Sequence, residues 1–260
     1  MIKLNGQVIE QNHFPDGTLL MKHYEESVKG AGEHIEWFYE NDAELFSLIC
    51  LKNSLGNRSV HLHMPYIPHA RMDRVKNKED IFTLKYFCEV INSLDFTKVR
   101  VLDPHSDVAP ALLDRVIVDA PESLIERVID KIDSDNLLYY FPDAGAAKRY
   151  SSAISSPYTY GNKVRDWKTG QIKGLTIADP SLVNGKDILI IDDICSRGGT
   201  FYYSAKALKE VGAENIYLYI THCENTILEG ELLTSGLIEK VYTTNSIFTK
   251  EHEKIEVFKI

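Results

Sequence analysis

The sequence predicts an α/β protein of two Rossmann-like halves, each a mainly parallel sheet flanked by helices. Three observations carry that expectation. Short apolar runs alternate with segments of helical periodicity, the order expected of βαβ units. Several runs are apolar on both faces, as strands covered by helices on each side must be. The chain has 260 residues, more than one typical domain of about 100–200 residues needs.

In chain order, residues 42 to about 54 begin at an Asp cap and stop before Gly56, which predicts a helix. Residues 59–66 (SVHLHMPY) predict a strand. From Asp80 onward, Ile81, Leu84, Phe87, Cys88 and Ile91 recur at helical spacing. Residues 98–103 (KVRVLD) predict the next strand, and Pro121 opens a helix to Lys131. Residues 136–141 (NLLYYF), 187–192 (DILIID) and 215–220 (NIYLYI) are further strands. Between the last two, Phe201, Ala205 and Leu208 mark one face of a helix that ends at Gly212. Residues from about 150 to 180 are polar and Gly-containing, and predict a long functional loop of the lid type. The halves are placed at 1–125 and 126–260. Lys148 and Arg149 read as solvated helix cations.

Composition excludes several classes. Twenty-nine Lys and Arg against 38 Asp and Glu give −9, which is not the basic footprint of a nucleic-acid binder. No apolar run approaches the roughly 18–20 residues that span a bilayer, and the first residues lack a signal-peptide core. The four cysteines form no CxxC pair, so the expectation is a reduced, cytoplasmic protein with no membrane or nucleic-acid partner.

The strongest signal is the run Ile188-Leu-Ile-Ile-Asp192-Asp193-Ile-Cys-Ser196-Arg197-Gly198-Gly199-Thr200. Two carboxylates stand at the end of a strand, and a glycine pair then feeds a helix. Glycine lets backbone N–H groups approach an anion closely, and a helix N-terminus supplies donors and partial positive charge. Ser196 and Thr200 add hydroxyls. The acids suit a sugar diol, or a metal held against phosphate oxygens. Cys195 lies in the loop without the Cys–His arrangement of a thiol nucleophile.

An apolar strand, Asp-Asp and Gly-Gly-Thr resemble the phosphoribosyl-diphosphate motif of type I phosphoribosyltransferases, a group that includes the ribose-phosphate diphosphokinases. Four other segments resemble the diphosphokinase branch in order. They are residues 13–18 (HFPDGT), 64–74 (MPYIPHARMDR), 101–106 (VLDPHS) and 141–145 (FPDAG). The resemblance implies two phosphoribosyltransferase-like halves with the active site between them. It assigns Asp16, Gly17, Thr18, Arg71, Met72, Asp73 and His105 to ATP, with the Asp16 turn reaching a neighbouring subunit of a homo-oligomer. It assigns Asp192, Asp193, Ser196, Arg197, Gly198, Gly199 and Thr200 to ribose phosphate. His105 and Asp143 serve magnesium. Lys163 and Arg165 fall where that family carries a catalytic Lys-x-Arg on a flexible loop, which suits charge stabilisation in phosphoryl transfer.

The implied reaction carries a diphosphoryl group from Mg-ATP to the anomeric hydroxyl of ribose 5-phosphate, or of a 5-phosphate ester such as ADP-ribose. Departures from the family pattern motivate the second acceptor. Arg197 stands in place of an acid, which moves the loop's charge toward positive and offers a bidentate phosphate partner. Thr18 and Met72 replace an acid and a glutamine of the ATP segments. The alternatives are a phosphoribosyltransferase that consumes the diphosphate sugar, and a catalytically silent regulatory paralogue.

Overall fold

A computed structural model describes residues 1–22, 32–151, 154, 156–165 and 172–260; the side chains of residues 163–165 and 172–174 lie outside that description. The chain divides into two compact units, Met1–Ala120 and Pro121–Ile260.

The first unit runs through β1 (Ile2–Leu4), β2 (Gln7–Val8), β3 (Gln11–His13), β4 (Leu19–Met21), β5 (Glu33–Trp37), α1 (Ala43–Ser54), β6 (Val60–His63), α2 (Thr83–Ser93), β7 (Lys98–Leu102), α3 (Val108–Leu112) and β8 (Val116–Asp119). Its sheet has the order β2-β1-β5-β6-β7-β8, with β5 to β8 parallel and β1 and β2 antiparallel at one edge. β3 and β4 form a separate hairpin. Leu48 and Leu51 of α1 and Leu84, Phe87 and Ile91 of α2 share one apolar cluster with Ile35, Trp37, Val60, Leu62, Val99 and Val101 of the strands.

The second unit contains α4 (Glu122–Ile132), β9 (Leu137–Phe141), α5 (Ala144–Tyr150), β10 (Tyr158–Arg165), β11 (Ile172–Ile177), β12 (Asp187–Cys195), α6 (Gly199–Glu210), β13 (Ile216–Cys223), β14 (Lys240–Thr244) and β15 (Ile255–Phe258). The sheet order is β11-β10-β9-β12-β13-β14-β15, parallel except for β10–β11. From β9 the chain leaves toward β10 on one side and resumes at β12 on the other. The carboxyl ends of β9 and β12 therefore flank a topological switch point, where open α/β sheets bind ligands. Residues 188–191 of β12 are buried on both faces, as its uninterrupted apolar run requires.

β6 buries Val60 and Leu62 on one face, while His61 and His63 alternate with them and are half-exposed. Several sequence expectations are corrected. Asp42 does not cap α1 through its side chain, which instead accepts a hydrogen bond from the Tyr39 hydroxyl at 2.9 Å. α2 begins at Thr83 rather than Asp80, because the Asp80 carboxylate accepts from the amides of Lys76 and Asn77 and closes a turn, leaving Ile81 exposed. The units divide at 120/121 rather than 125/126. Helix α4 belongs with the second unit, where Lys131 pairs with Glu256 at 2.6 Å and Arg127 lies 4.3 Å over the Phe258 ring.

The largest correction concerns residues 150–180, read as a loop. Within it β10 and β11 form an antiparallel ribbon, and β10 pairs in parallel with β9. Polar composition conceals these strands, and Gly161 mimics a loop signal. A Cβ at Gly161 would lie 2.3 Å from the Tyr140 hydroxyl and 2.9 Å from the Pro142 carbonyl, so this glycine serves close packing inside a strand.

Candidate active site

The second unit holds the candidate anion site. β12 delivers Asp192 and Asp193 at the carboxyl end of the sheet, and the chain then turns through Ser196 and Arg197 into α6. The turn is possible because Gly198 adopts φ 78°, the left-handed region where a side chain is disfavoured. A Cβ there would also meet Leu232 Cδ2 at 3.0 Å, while the space over Gly199 is open. Gly198 is the N-cap of the 12-residue α6. The first amides of such a helix have no intrahelical partner and aim their N–H groups, with the positive end of the helix dipole, toward the turn. The loop thus offers backbone donors, the Ser196 and Thr200 hydroxyls and one guanidinium within five residues, on the rim of two carboxylates.

Sequence reading missed the counter-charge of that pair. Arg149 of α5 donates from Nη2 to Asp193 Oδ1 at 2.6 Å and to Asp192 Oδ1 at 3.4 Å. Its guanidinium is buried enough to couple strongly, with 28% of the side chain exposed. Expected to be solvated, Arg149 instead holds the acid pair together; Lys148 remains exposed. A findable signal existed. Two adjacent acids on a buried strand demand a cation, and the helix following β9, the neighbour of β12, is the nearest source. Burial and the Asp193 carboxylate nevertheless push the Asp192 carboxyl well above the usual carboxylate range, against the pull of Arg149.

Asp143 caps α5, its Oδ1 accepting from the amides of Gly145 at 3.0 Å and Ala146 at 3.1 Å. Arg197 is exposed and donates to Glu229 Oε2 at 3.0 Å, an ion pair that solvent keeps weak. The Cys195 thiol is buried; a hydrogen bond with Cys223 and desolvation push it up, which fits an inert thiol. Lys163 and Arg165 alternate on β10, opposite Leu175 and Ile172 of β11, so they occupy positions on one face of that strand. Their side chains lie outside the described residues.

The first unit holds the segments assigned to ATP. Asp16, Gly17 and Thr18 form the tight turn between β3 and β4. Asp16 Oδ1 accepts from the Thr18 amide at 3.0 Å and its hydroxyl at 2.7 Å, and these bonds lower the Asp16 carboxyl. Gly17 takes φ 83°. Gly17 and Thr18 line a cavity of about 500 Å³ with His13, Glu40 and Ser47. Phe14, at the same turn, is half-exposed. Arg71 and Met72 are exposed after a turn closed by the Met72 amide on the His69 carbonyl at 2.9 Å.

Asp73 differs from the ATP contact expected of it. It is buried, and Arg74 grips it through Nε at 2.6 Å and Nη2 at 2.7 Å. Its carboxylate is engaged in that bidentate pair. Arg74 above all, with His105 also near, holds the Asp73 carboxyl down to about 2. A carboxyl lowered by folding stabilises the protein above its unfolded value and loses that contribution as pH falls toward the folded one. The stability gap between wild type and Asp73→Asn in urea unfolding therefore narrows between about pH 4 and pH 2. A gap independent of pH would detach the pair from stability.

Among the described residues no three His, Cys, Asp or Glu lie close enough to hold a metal alone. Magnesium seldom needs such a cage, since it keeps waters and arrives on substrate phosphates with one or two carboxylates. Asp143 in the second unit and His105 in the first each offer a donor type that suits that mode. No helix among the described residues is long and apolar enough to cross a membrane.

Comparison with known proteins follows the same lines. The phosphoribosyl transferase domain family matches residues 144–231, from α5 through α6 and β13. Ribose-phosphate pyrophosphokinase from Sulfurisphaera tokodaii is 25% identical over 248 residues, covering 92% of this chain and 84% of that protein. Ribose-phosphate pyrophosphokinase 1 from Listeria monocytogenes is 28% identical over 257 residues, covering 94% and 79%. The crystal structure of phosphoribosylpyrophosphate synthetase from Mycobacterium smegmatis shares the fold with a TM-score of 0.80 at 18% identity, over 97% of this chain and 86% of that one.

Proposed function

Because this chain belongs to the ribose-phosphate pyrophosphokinase family, we propose that it transfers the β,γ-diphosphoryl group of ATP to the anomeric hydroxyl of a ribose 5-phosphate-type acceptor. The new bond joins the anomeric oxygen to the β-phosphorus. The bond from the β-phosphorus to the α–β bridging oxygen breaks, AMP departs, and the hydroxyl proton passes to solvent.

The observation that carries this reading is the second unit's anion loop. A left-handed Gly198 opens α6 beside two carboxylates at the sheet's switch point. The acceptor's 5-phosphate sits on Ser196, Gly198, Gly199 and Thr200, and its ribose hydroxyls donate to Asp192 and Asp193. ATP is taken by the first unit, through Arg71, Met72 and His105. Asp16, Gly17 and Thr18 serve the ATP of a neighbouring subunit in a homo-oligomer; the half-exposed Phe14 beside them supports that reading. His105 in the first unit and Asp143 in the second are each a proposed magnesium contact; the ion would neutralise phosphate charge when bound. Lys163 and Arg165 stabilise charge on the transferring group.

Arg197 extends the acceptor range to 5-phosphate esters with a second phosphate, such as ADP-ribose. Its weak pair with Glu229 leaves the guanidinium available for exchange onto a dianionic partner. Incubation with ATP, Mg²⁺ and each acceptor, followed by chromatography for AMP, tests the reaction; no AMP with either acceptor overturns it. Replacing Arg197 by Ala raises the KM for ADP-ribose about tenfold while that for ribose 5-phosphate moves much less. Equal effects on both acceptors would remove Arg197 from the choice between them.

A further inference from the structure

The chain after β13 packs against the back of the anion loop. A 3₁₀ turn, Asn225–Glu229, leads into Gly230 and the buried Leu232. The Glu224 amide donates to the Cys195 carbonyl at 2.8 Å, at the loop's entrance. Leu232 lies against Gly198, at the loop's exit. Between them, a Cβ on Gly230 would stand 1.9 Å from the Arg197 carbonyl oxygen and 2.9 Å from its carbon.

That clash involves backbone on both sides, so no side chain can swing away to relieve it. Gly230 has φ −92° and ψ 171°, a conformation open to any residue. Its glycine is therefore explained by space alone. The turn before it has little freedom to retreat, since Asn225 and Thr249 exchange two hydrogen bonds, at 2.9 Å and 3.0 Å.

We propose that Gly230 is a positioning residue for the acceptor's phosphate. The Arg197 carbonyl and the Gly198 amide belong to one rigid peptide plane. Displacing the carbonyl tilts the Gly198 N–H, one of the donors that line the anion loop, and carries the αL turn with it. Gly230 thus fixes the direction of a donor it never touches, as a support for a site whose reading is the one proposed above.

The test titrates inorganic phosphate into the full-length protein by calorimetry, and measures KM for both substrates. With Gly230→Ala the phosphate Kd and acceptor KM rise about ten- to hundredfold, because a displacement of about 1 Å can cost that much. The ATP KM stays within about twofold, and exposed Glu231→Ala behaves as wild type. An unchanged phosphate Kd in Gly230→Ala overturns the proposal, as does a wild type that binds no phosphate. Wild type that binds phosphate but releases no AMP overturns the reaction while leaving this proposal to the variant's Kd. If Gly230→Ala melts below the assay temperature, Asn225→Ala decides. Loosening the brace weakens phosphate binding about threefold or more with folding retained, and an unaltered Kd there also refutes it.

Discussion

Replacing Lys163 by Ala lowers the rate of AMP release by about 10²–10³-fold, the loss seen when one pre-positioned charge-stabilising donor is removed. The thermal transition stays where it is. Phosphoryl transfer asks the protein mainly for positioning and for charge on the nonbridging oxygens, so a lysine acting there changes kcat far more than either KM. The position on β10 supports the role. The strand extends from a sheet anchored by β9, and Lys163 and Arg165 are two residues apart on it. Arg165→Ala gives a similar loss, and the double variant falls short of the product of the two if they act on the same oxygens. A Lys163→Ala enzyme with near-normal kcat removes Lys163 from the mechanism.

The second large effect is on Arg149. Substitution by Leu leaves Asp192 and Asp193 adjacent and without the cation that now bonds both. Removing one partner of a buried pair costs about 3–5 kcal/mol, and the partial exposure of Arg149 places the expected loss toward the lower figure. The Asp192 carboxyl, already raised by burial, rises further. The pH below which acceptor affinity falls therefore moves upward, a readout that simple destabilisation does not produce. Arg149→Lys keeps the charge but loses the planar fork, and falls between the two. Equal unfolding free energy and an unshifted acceptor pH profile in Arg149→Leu would show the acid pair to be held by other contacts.

What the sequence revealed follows from how local each determinant is. Residues 187–192 announce a doubly covered strand because consecutive apolar residues have no other stable use there, and the Gly-Gly turn announces itself by composition. The adjacent acids announce the need for a cation, but its identity does not show: a Lys-Arg pair late in a helix looks solvated until β9 is known to adjoin β12. The ribbon of β10 and β11 was hidden for a related reason. Polar strand residues and Gly161 mimic a loop, and only the close approach of Tyr140 shows that this glycine packs a sheet. Asp73 shows what a motif leaves out: its burial and its bidentate pair with Arg74 are visible only in the structure. Gly230 carries no sequence signal at all, since its neighbour across the contact is 33 residues away (230 − 197).

The central claim concerns which phosphorus is attacked. ATP labelled at its β-phosphorus, supplied with Mg²⁺ and either ribose 5-phosphate or ADP-ribose, gives a sugar product that carries the label while the released AMP carries none. Label recovered in ADP, or ribose acceptors returned unlabelled while ATP is consumed, would contradict diphosphoryl transfer by this protein.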